Sequence, residues 1–261
     1  MIDSHCHLLP AIDDGPPDET IALEMARVAI EDGVETVIVT PHSREGDFPH
    51  DRLKILAAVA EFREVLQQAG CPLKIEAGAE IHHTIDMVAR IRNGELLTYA
   101  DGRAYVLLEC PYRSRPMNLD QTIFELKVAG ITTVIAHPER TNYFIERPER
   151  YEEMIRMGAL GSMTAASLVG TFGRKIRALS EDWVRRRLVH ILASDAHDPS
   201  YRPPKLTEAR RAWAALDDEL HATRATIDYP QALLTGGPID PDPPLTPEEP
   251  RGFFSRFFSR G

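Results

Sequence analysis

Seven times along the chain a short apolar run gives way to a stretch with helical spacing. Residues 2–5, 34–40 (VETVIVT), 73–81, 104–109 (AYVLLE), 132–137 (TTVIAH), the weaker 161–164 and 189–194 (VHILAS) read as strands. Several are unbroken β-branched runs, the pattern of strands buried on both faces. Between them lie helical stretches. The first opens at Pro16-Pro17-Asp18-Glu19, carries Ile21, Met25, Val28 and Ala29 on one face, and stops at Gly33. Further helices are expected over 51–69, 119–129, 148–157, 167–187 and 206–222, the last being the final one, with helix and turn over 86–98. Alternation of this kind requires parallel strands joined by helical crossovers.

What ends the strands selects the architecture. His5 and His7 close the first, His42 follows the second, Glu80 lies in the third, Glu109 ends the fourth, His137 the fifth, and Asp195 and His197 follow the last. An open doubly wound sheet concentrates its site at one switch point. A barrel instead draws functional groups from the C-terminal ends of many strands. The expected fold class is therefore α/β, a distorted, TIM-barrel-like (β/α)7 barrel.

Taken singly, each polar residue has a bland explanation: a loop cap, an arginine partner, a satisfied core histidine. Jointly they form a ligand set. Two histidines two apart on a strand point to one side, and imidazole suits borderline metals. Carboxylates can bridge ions. Asp14, Glu80, Glu109 and Asp195 beside His5, His7, His42, His137 and His197 fit two or three divalent ions, with mixed N/O ligation favouring Mn, Fe or Zn. Such a cluster clamps a phosphoryl group and lowers the pKa of a water. Arginines follow the ligands: Arg44, Arg113, Arg115, Arg140 and Arg202. Guanidinium binds phosphate in a planar fork. His50, His190 and His221 read as structural or surface residues, and His82 and His83 have no evident partner.

Other classes fall away. A formal net charge of -10 lacks the basic footprint of a general nucleic-acid binder. Three scattered cysteines give neither a disulfide framework nor a zinc pattern, which fits a reducing cytoplasm. A cysteine-dependent phosphatase needs an arginine six positions after its thiolate; Cys6, Cys71 and Cys110 have Ile12, Ala77 and Pro116 there. No GxxxxGK[ST] loop, secretory leader or long apolar span is present. Residues 236–250 are Pro/Gly-rich and acidic, a linker after a domain over 1–235. Residues 251–261 carry a tandem FFSR, either an amphipathic helix for a membrane surface or partner, or a disordered tail.

HCHxLP with DDGP, then TPH, GAEI, ECP, AHPERTNY and SDAH followed by RPP, resemble the PHP superfamily. Within it they are similar to the manganese-dependent protein tyrosine phosphatases of bacterial capsule and exopolysaccharide loci. The resemblance runs from Met1 to about Leu234. It implies a PHP-type barrel with a trinuclear site. His5, His7, Glu80 and Asp195 would hold one metal; Asp14, His42 and His197 a second; Glu80, Glu109 and His137 a third. Arg140 and Arg202 would grip the phosphate, with Arg44 as a further contact, although Ser43-Arg44-Glu45 is less basic than the family pattern. Asp195 or His197 would orient the nucleophile or protonate the leaving phenolate. The implied partner is a membrane-associated tyrosine autokinase with a tyrosine-rich tail. The implied location is the cytoplasm, with the 251–261 tail as a peripheral membrane contact; oligomeric state is left open. Rival readings are a small-molecule phosphatase of histidinol-phosphate type, an amidohydrolase or exonuclease relative, and a silent metal-binding kinase adaptor.

Overall fold

The computed structural model describes residues 1–245; the FFSRFFSR tail lies outside them. Strand β1 (Ile2–Cys6) leads to helix α1 (Glu19–Glu31), whose first turn is capped by the Asp18 carboxylate accepting from Ile21 N. Ala22, Met25, Ala26 and Ala29 bury one face of α1. Strands β2 (Thr36–Val39) and β3 (His42–Ser43) precede α2 (Arg52–Gln68), capped by Asp51. Then come β4 (Lys74–Ala77), β5 (Glu80–His82), α3 (Met87–Arg92), β6 (Tyr105–Glu109) and α4 (Leu119–Val128). Strand β7 (Thr132–Ala136) is followed by α5 (Asn142–Glu146) and α6 (Pro148–Arg156), and β8 (Leu160–Thr164) by α7 (Ala165–Val169) and α8 (Arg174–Arg185). Strand β9 (Ile191–Ala193) leads to α9 (Thr207–Leu216), α10 (Glu219–Thr223), a π-helical turn and α11 (Tyr229–Thr235).

All strand pairs are parallel, in the orders β1-β2-β4 and β3-β5-β6-β7-β8-β9. The two sheets are one interrupted circuit. β3 continues the line of β2, and β5 that of β4, with Glu80 N donating to Pro41 O across the gap. The free edges of β9 and β1 meet through a Cys6–Ala196 bridge, with Asp195 N donating to His5 O and His7 N to Ala196 O. Counting β2/β3 and β4/β5 as single staggered strands gives the expected seven positions around the barrel.

The stretch 73–81, expected as one strand, is thus two. Pro41 has no N–H for the ladder, and at Gly78 an added Cβ would lie 3.1 Å from Ile38 Cγ2. The chains press together there and step apart afterwards. Likewise 167–187 divides at the left-handed Gly170 and Gly173, and 206–222 breaks at Asp217, where Asp218 caps a new helix. The chain then continues helically to Thr235, beyond the expected last helix.

The larger core lies between helices and barrel. A smaller one fills the barrel interior, where Ile2, Ile38, Tyr105, Leu107, Val134, Leu160 and Ile191 meet Tyr99 and Leu233 of α11. Residues 237–245 run on without helix or strand. Gly237 O accepts from the Tyr105 hydroxyl at the start of β6, Asp242 pairs with His221 and Arg224, and Leu245 N donates to Arg186 O, just before β9. This segment therefore lies at the N-terminal ends of the strands. Among the described residues no helix is long and apolar enough to cross a membrane.

Candidate metal centre

Three local departures from regular strand geometry aim the side chains at the C-terminal mouth. In β1, Asp3 and Cys6 pair with Val37 and Val39, three steps against two. This irregularity switches faces: Ile2 points into the barrel interior, Cys6 outward into the helix-facing core, and His5 and His7 inward. Alternation would send His137 outward with Ile135; its left-handed backbone (φ 31°) turns the ring back to Glu80. Asp195 is also left-handed (φ 52°). Such backbone costs roughly 1–3 kcal/mol per residue and is concentrated at sites that use it.

Glu80 is the hub. Its Oε1 lies 2.7 Å from His137 Nε2 and 3.4 Å from His5 Nε2, and its Oε2 lies 3.0 Å from His42 Nδ1 and 3.4 Å from His7 Nε2. Asp195 Oδ1 lies 3.5 Å from His5 Nε2 and 3.6 Å from His7 Nε2. Asp14 Oδ1, on a half-exposed side chain at the rim, is 3.4 Å from His42 Nε2 and 3.3 Å from His197 Nε2. Glu109 Oε2 completes the set, 3.9 Å from His42 Nδ1. Compact donor groups result: His7, Asp14, His42 and His197; His5, His7 and Glu80; His42, Glu80 and Glu109.

These residues fit divalent metal. Two donors each ~2.1 Å from one ion, at octahedral to tetrahedral angles, lie about 3.0–3.4 Å apart, and five of the nine donor pairs above fall in that range. The buried atoms His42 Nδ1, Glu80 Oε2 and His137 Nδ1 have no hydrogen-bond partner, although buried polar atoms are normally satisfied. Supports behind the donors have the arrangement ligands need. Asp13 Oδ2 lies 2.7 Å from His7 Nδ1 and accepts from His42 N, and Asp195 O lies 3.0 Å from His197 Nδ1. Asp3, fully buried, accepts from Ser194 N and its hydroxyl, tying β1 to the β9 end; burial raises its carboxyl to about 6.

The electrostatics are those of a cation trap. Burial would raise Glu80 and Asp195, yet His5, His42 and His137 around the first, and His5, Arg202 and Arg140 around the second, hold both well below the usual carboxylate range. Burial would lower His7, His42 and His137, but Asp13 for the first and Glu80 for the other two lift all three. Burial and the neighbouring His7 lower His197. Protons thus occupy sites where metal would compete.

Two guanidinium groups stand at the rim. Asp195 Oδ2 accepts from Arg140 Nη1 and from Arg202 Nη2, the latter at 2.7 Å. Arg140 packs over Phe172, 4.6 Å from its centroid, and over Tyr112. Arg44 lies at the same mouth, with Nη2 3.1 Å from Glu109 Oε2. The mouth is a cleft of about 270 Å³. Seven of the nine expected ligands line this mouth with Arg44, Arg140 and Arg202, and His5 and His7 stand against Glu80 and Asp195; Arg113 and Arg115 line a neighbouring cleft instead.

Asp13, His82 and Tyr112 also stand at this centre, beyond the residues expected there. His82, two residues from Glu80, shares its face and lies 3.0 Å from Glu109 Oε2 through Nδ1, so alternation could have found it. Tyr112 stacks on His137 at 5.2 Å between centroids; nothing in its spacing marks it. His83 contacts Thr122. Cys6 is buried and its thiol is pushed well up by burial, so it is no nucleophile.

Known proteins share this architecture. The YwqE tyrosine-protein phosphatase of Bacillus subtilis is 35% identical over 202 residues, 77% of this chain and 79% of that protein. CpsB tyrosine-protein phosphatase of Streptococcus pneumoniae is 29% identical over 239 residues, 90% and 98% of the two chains. A solved structure from work on those two proteins, described as metal-dependent tyrosine phosphatases, superposes with a TM-score of 0.89 at 32% identity, covering 94% of this chain and 98% of its own. A histidinol phosphate phosphatase from Lactococcus lactis shares the fold alone (TM-score 0.53, 15% identity, 83% and 94% covered). Residues 1–235 match the family described as capsular polysaccharide synthesis, CpsB/CapC, and the chain belongs to that family.

Proposed function

We propose that this protein is a metal-dependent protein tyrosine phosphatase that removes phosphate from a bacterial tyrosine autokinase controlling capsule or exopolysaccharide synthesis. The observation that carries the reading is the joining of donor clusters to a guanidinium pair through one carboxylate: Asp195 turns Oδ1 to His5 and His7 and Oδ2 to Arg140 and Arg202. The nine residues named above would hold two or three divalent ions, with Mn favoured over Fe or Zn. Such ions supply positive charge to phosphoryl oxygens and a water of lowered pKa.

The chain's own groups do the remainder. Arg140 and Arg202 exchange Asp195 for non-bridging phosphoryl oxygens, and their planar forks offset the charge that spreads there in transfer. Asp195, held ionised, keeps the two arginines at the mouth until substrate takes them and then orients the attacking group; it has no proton to give at neutral pH. His197 has Nε2 near Asp14 and Nδ1 near a backbone oxygen, so it is a ligand and not a free acid. A leaving phenolate of pKa about 10 requires little protonation, which favours aryl over alkyl phosphates. Residues 1–235 form the catalytic domain, followed by the 236–250 linker and the 251–261 tail, in a cytoplasmic protein that meets its kinase at the membrane.

The test is phosphate release from a phosphotyrosine peptide by metal-stripped protein, with Mn, Fe, Zn, Mg or nothing added back. Activity should return with metal, vanish in His7→Ala and fall sharply in Arg140→Ala. A folded, metal-loaded protein that releases no phosphate would overturn the reading.

A further inference from the structure

Beside the metal mouth lies a second cleft of about 470 Å³, between the loop after β6 and the helices α5 and α6. Arg113, Arg115, Arg147 and Arg150 line it, with Glu146 as the opposing carboxylate. Arg150 is committed to Asp120 at 2.7 Å and to Glu153. Arg113, Arg115 and Arg147 are exposed and make no ion pair among the described residues. On a chain of net charge -10, three free guanidinium groups against one carboxylate form a local positive field.

The cleft and the mouth share a wall. Tyr112 lines the mouth, and the next residue, Arg113, lines the cleft. Arg140 belongs to the mouth and Asn142 to the cleft, and Asn142 N donates to Tyr112 O, fastening the two loops together. An extended peptide advances at most ~3.6 Å per residue, so a chain whose phosphotyrosine enters the mouth reaches the adjoining cleft within a few residues when it runs in that direction.

We infer that this cleft is a specificity subsite for a second anionic group, carboxylate or phosphoryl, carried on the substrate polypeptide within a few residues of the phosphotyrosine. Guanidinium forks suit both groups. The inference rests on the phosphotyrosine reading above and adds to it what the substrate must look like outside the reacting residue.

The experiment compares kcat/KM for three peptides differing only beside the phosphotyrosine: neutral Gln residues, Glu residues, or a second phosphotyrosine. Para-nitrophenyl phosphate serves as the substrate with no flank. Wild type should favour both anionic peptides about five- to tenfold over the neutral one. Arg113→Ala/Arg115→Ala should erase that preference while leaving para-nitrophenyl phosphate turnover unchanged. Arg113→Glu/Arg115→Glu should reverse it, so that the neutral Gln peptide becomes the better substrate and a fourth, Lys-flanked peptide better still, which no general loss of folding can do. A preference for only one anionic peptide assigns the group; either supports the subsite. Equal rates on all peptides by active wild type, or a preference surviving in both variants, would overturn the inference alone. Turnover of the small aryl phosphate with no peptide hydrolysis would overturn the phosphotyrosine reading and this inference with it.

Discussion

Asp13→Asn tests the metal centre without altering a donor atom. Asp13 Oδ2 is 2.7 Å from His7 Nδ1 and accepts from His42 N at 3.0 Å; Oδ1 accepts from Gly15 N at 3.0 Å. Only an ionised carboxylate accepts on both oxygens. Asparagine offers one acceptor and turns an NH2 toward at least one existing donor. Leaving such a donor unpaired costs about 1–3 kcal/mol. The substitution also removes the charge that strengthens His7 Nε2 as a donor, an effect of about 10- to 100-fold in metal affinity. The metal Kd at pH ~8 should therefore rise about 10- to 100-fold, or roughly 1.4–2.8 kcal/mol, in competition with a chromogenic chelator. The pH profile carries a second signature. His7, His42 and His137 are lifted above the ordinary imidazole value in the metal-free protein. Affinity must then weaken as pH falls and protons reclaim those nitrogens. The slope should be shallower in Asp13→Asn, where His7 holds its proton less firmly. A folded variant binding metal within about twofold of wild type at that pH would refute the reasoning.

Glu80→Gln removes the charge shared by His5, His7, His42 and His137; phosphatase activity should drop at least about a hundredfold with lower metal occupancy by elemental analysis. Gly161→Ala would drive a methyl group into the hydroxyl of Tyr151, which is fully buried, bonded to Leu188 O and stacked on Trp183. A loss of about 1–3 kcal/mol is expected in denaturant melts, and an unchanged midpoint would contradict the packing. His190 Nδ1 accepts from Gly161 N, and burial pushes its pKa down to about 4. Because the unfolded imidazole titrates near 6.5, the unfolded state binds the extra proton. Stability is lost as pH falls from about 6.5 to about 4, by up to about 3 kcal/mol. His190→Gln should flatten the Tm profile in that window, and superimposable profiles would refute the assignment.

The strand–helix alternation and the polar strand ends were legible in the sequence because both depend on short-range pattern. β-branched runs bury on both faces whatever their neighbours, and a ligand at a barrel strand end follows from chain direction. Two kinds of feature were not legible. Breaks within elements come from tertiary crowding: Gly78 separates β4 from β5 because Ile38 lies against it. Gly161 made β8 look weak, yet its missing side chain is what admits the Tyr151 hydroxyl. The other kind is direction. Strict alternation cannot place Ile2, His5 and His7 together on the inside of β1; the register irregularity after Asp3 does. Asp13 and Tyr112 act through contacts on other loops, and their spacing carried no sign of that.

The closing segment has a consequence for how the molecule can be presented to large substrates. Gly237 and Leu245 are fastened at the N-terminal ends of the strands, whereas every metal donor opens at the opposite pole. Whatever is joined after Leu245 therefore starts one barrel length away from the reacting centre. An enzyme held on a solid support at Leu245 itself keeps its mouth pointing outward, and its turnover of a protein substrate should match that of the free enzyme. Attachment through the loop after β6 would instead bring the support to the mouth and spare only small aryl phosphates. The barrel has a handle and a working end, and the last described residues belong to the handle.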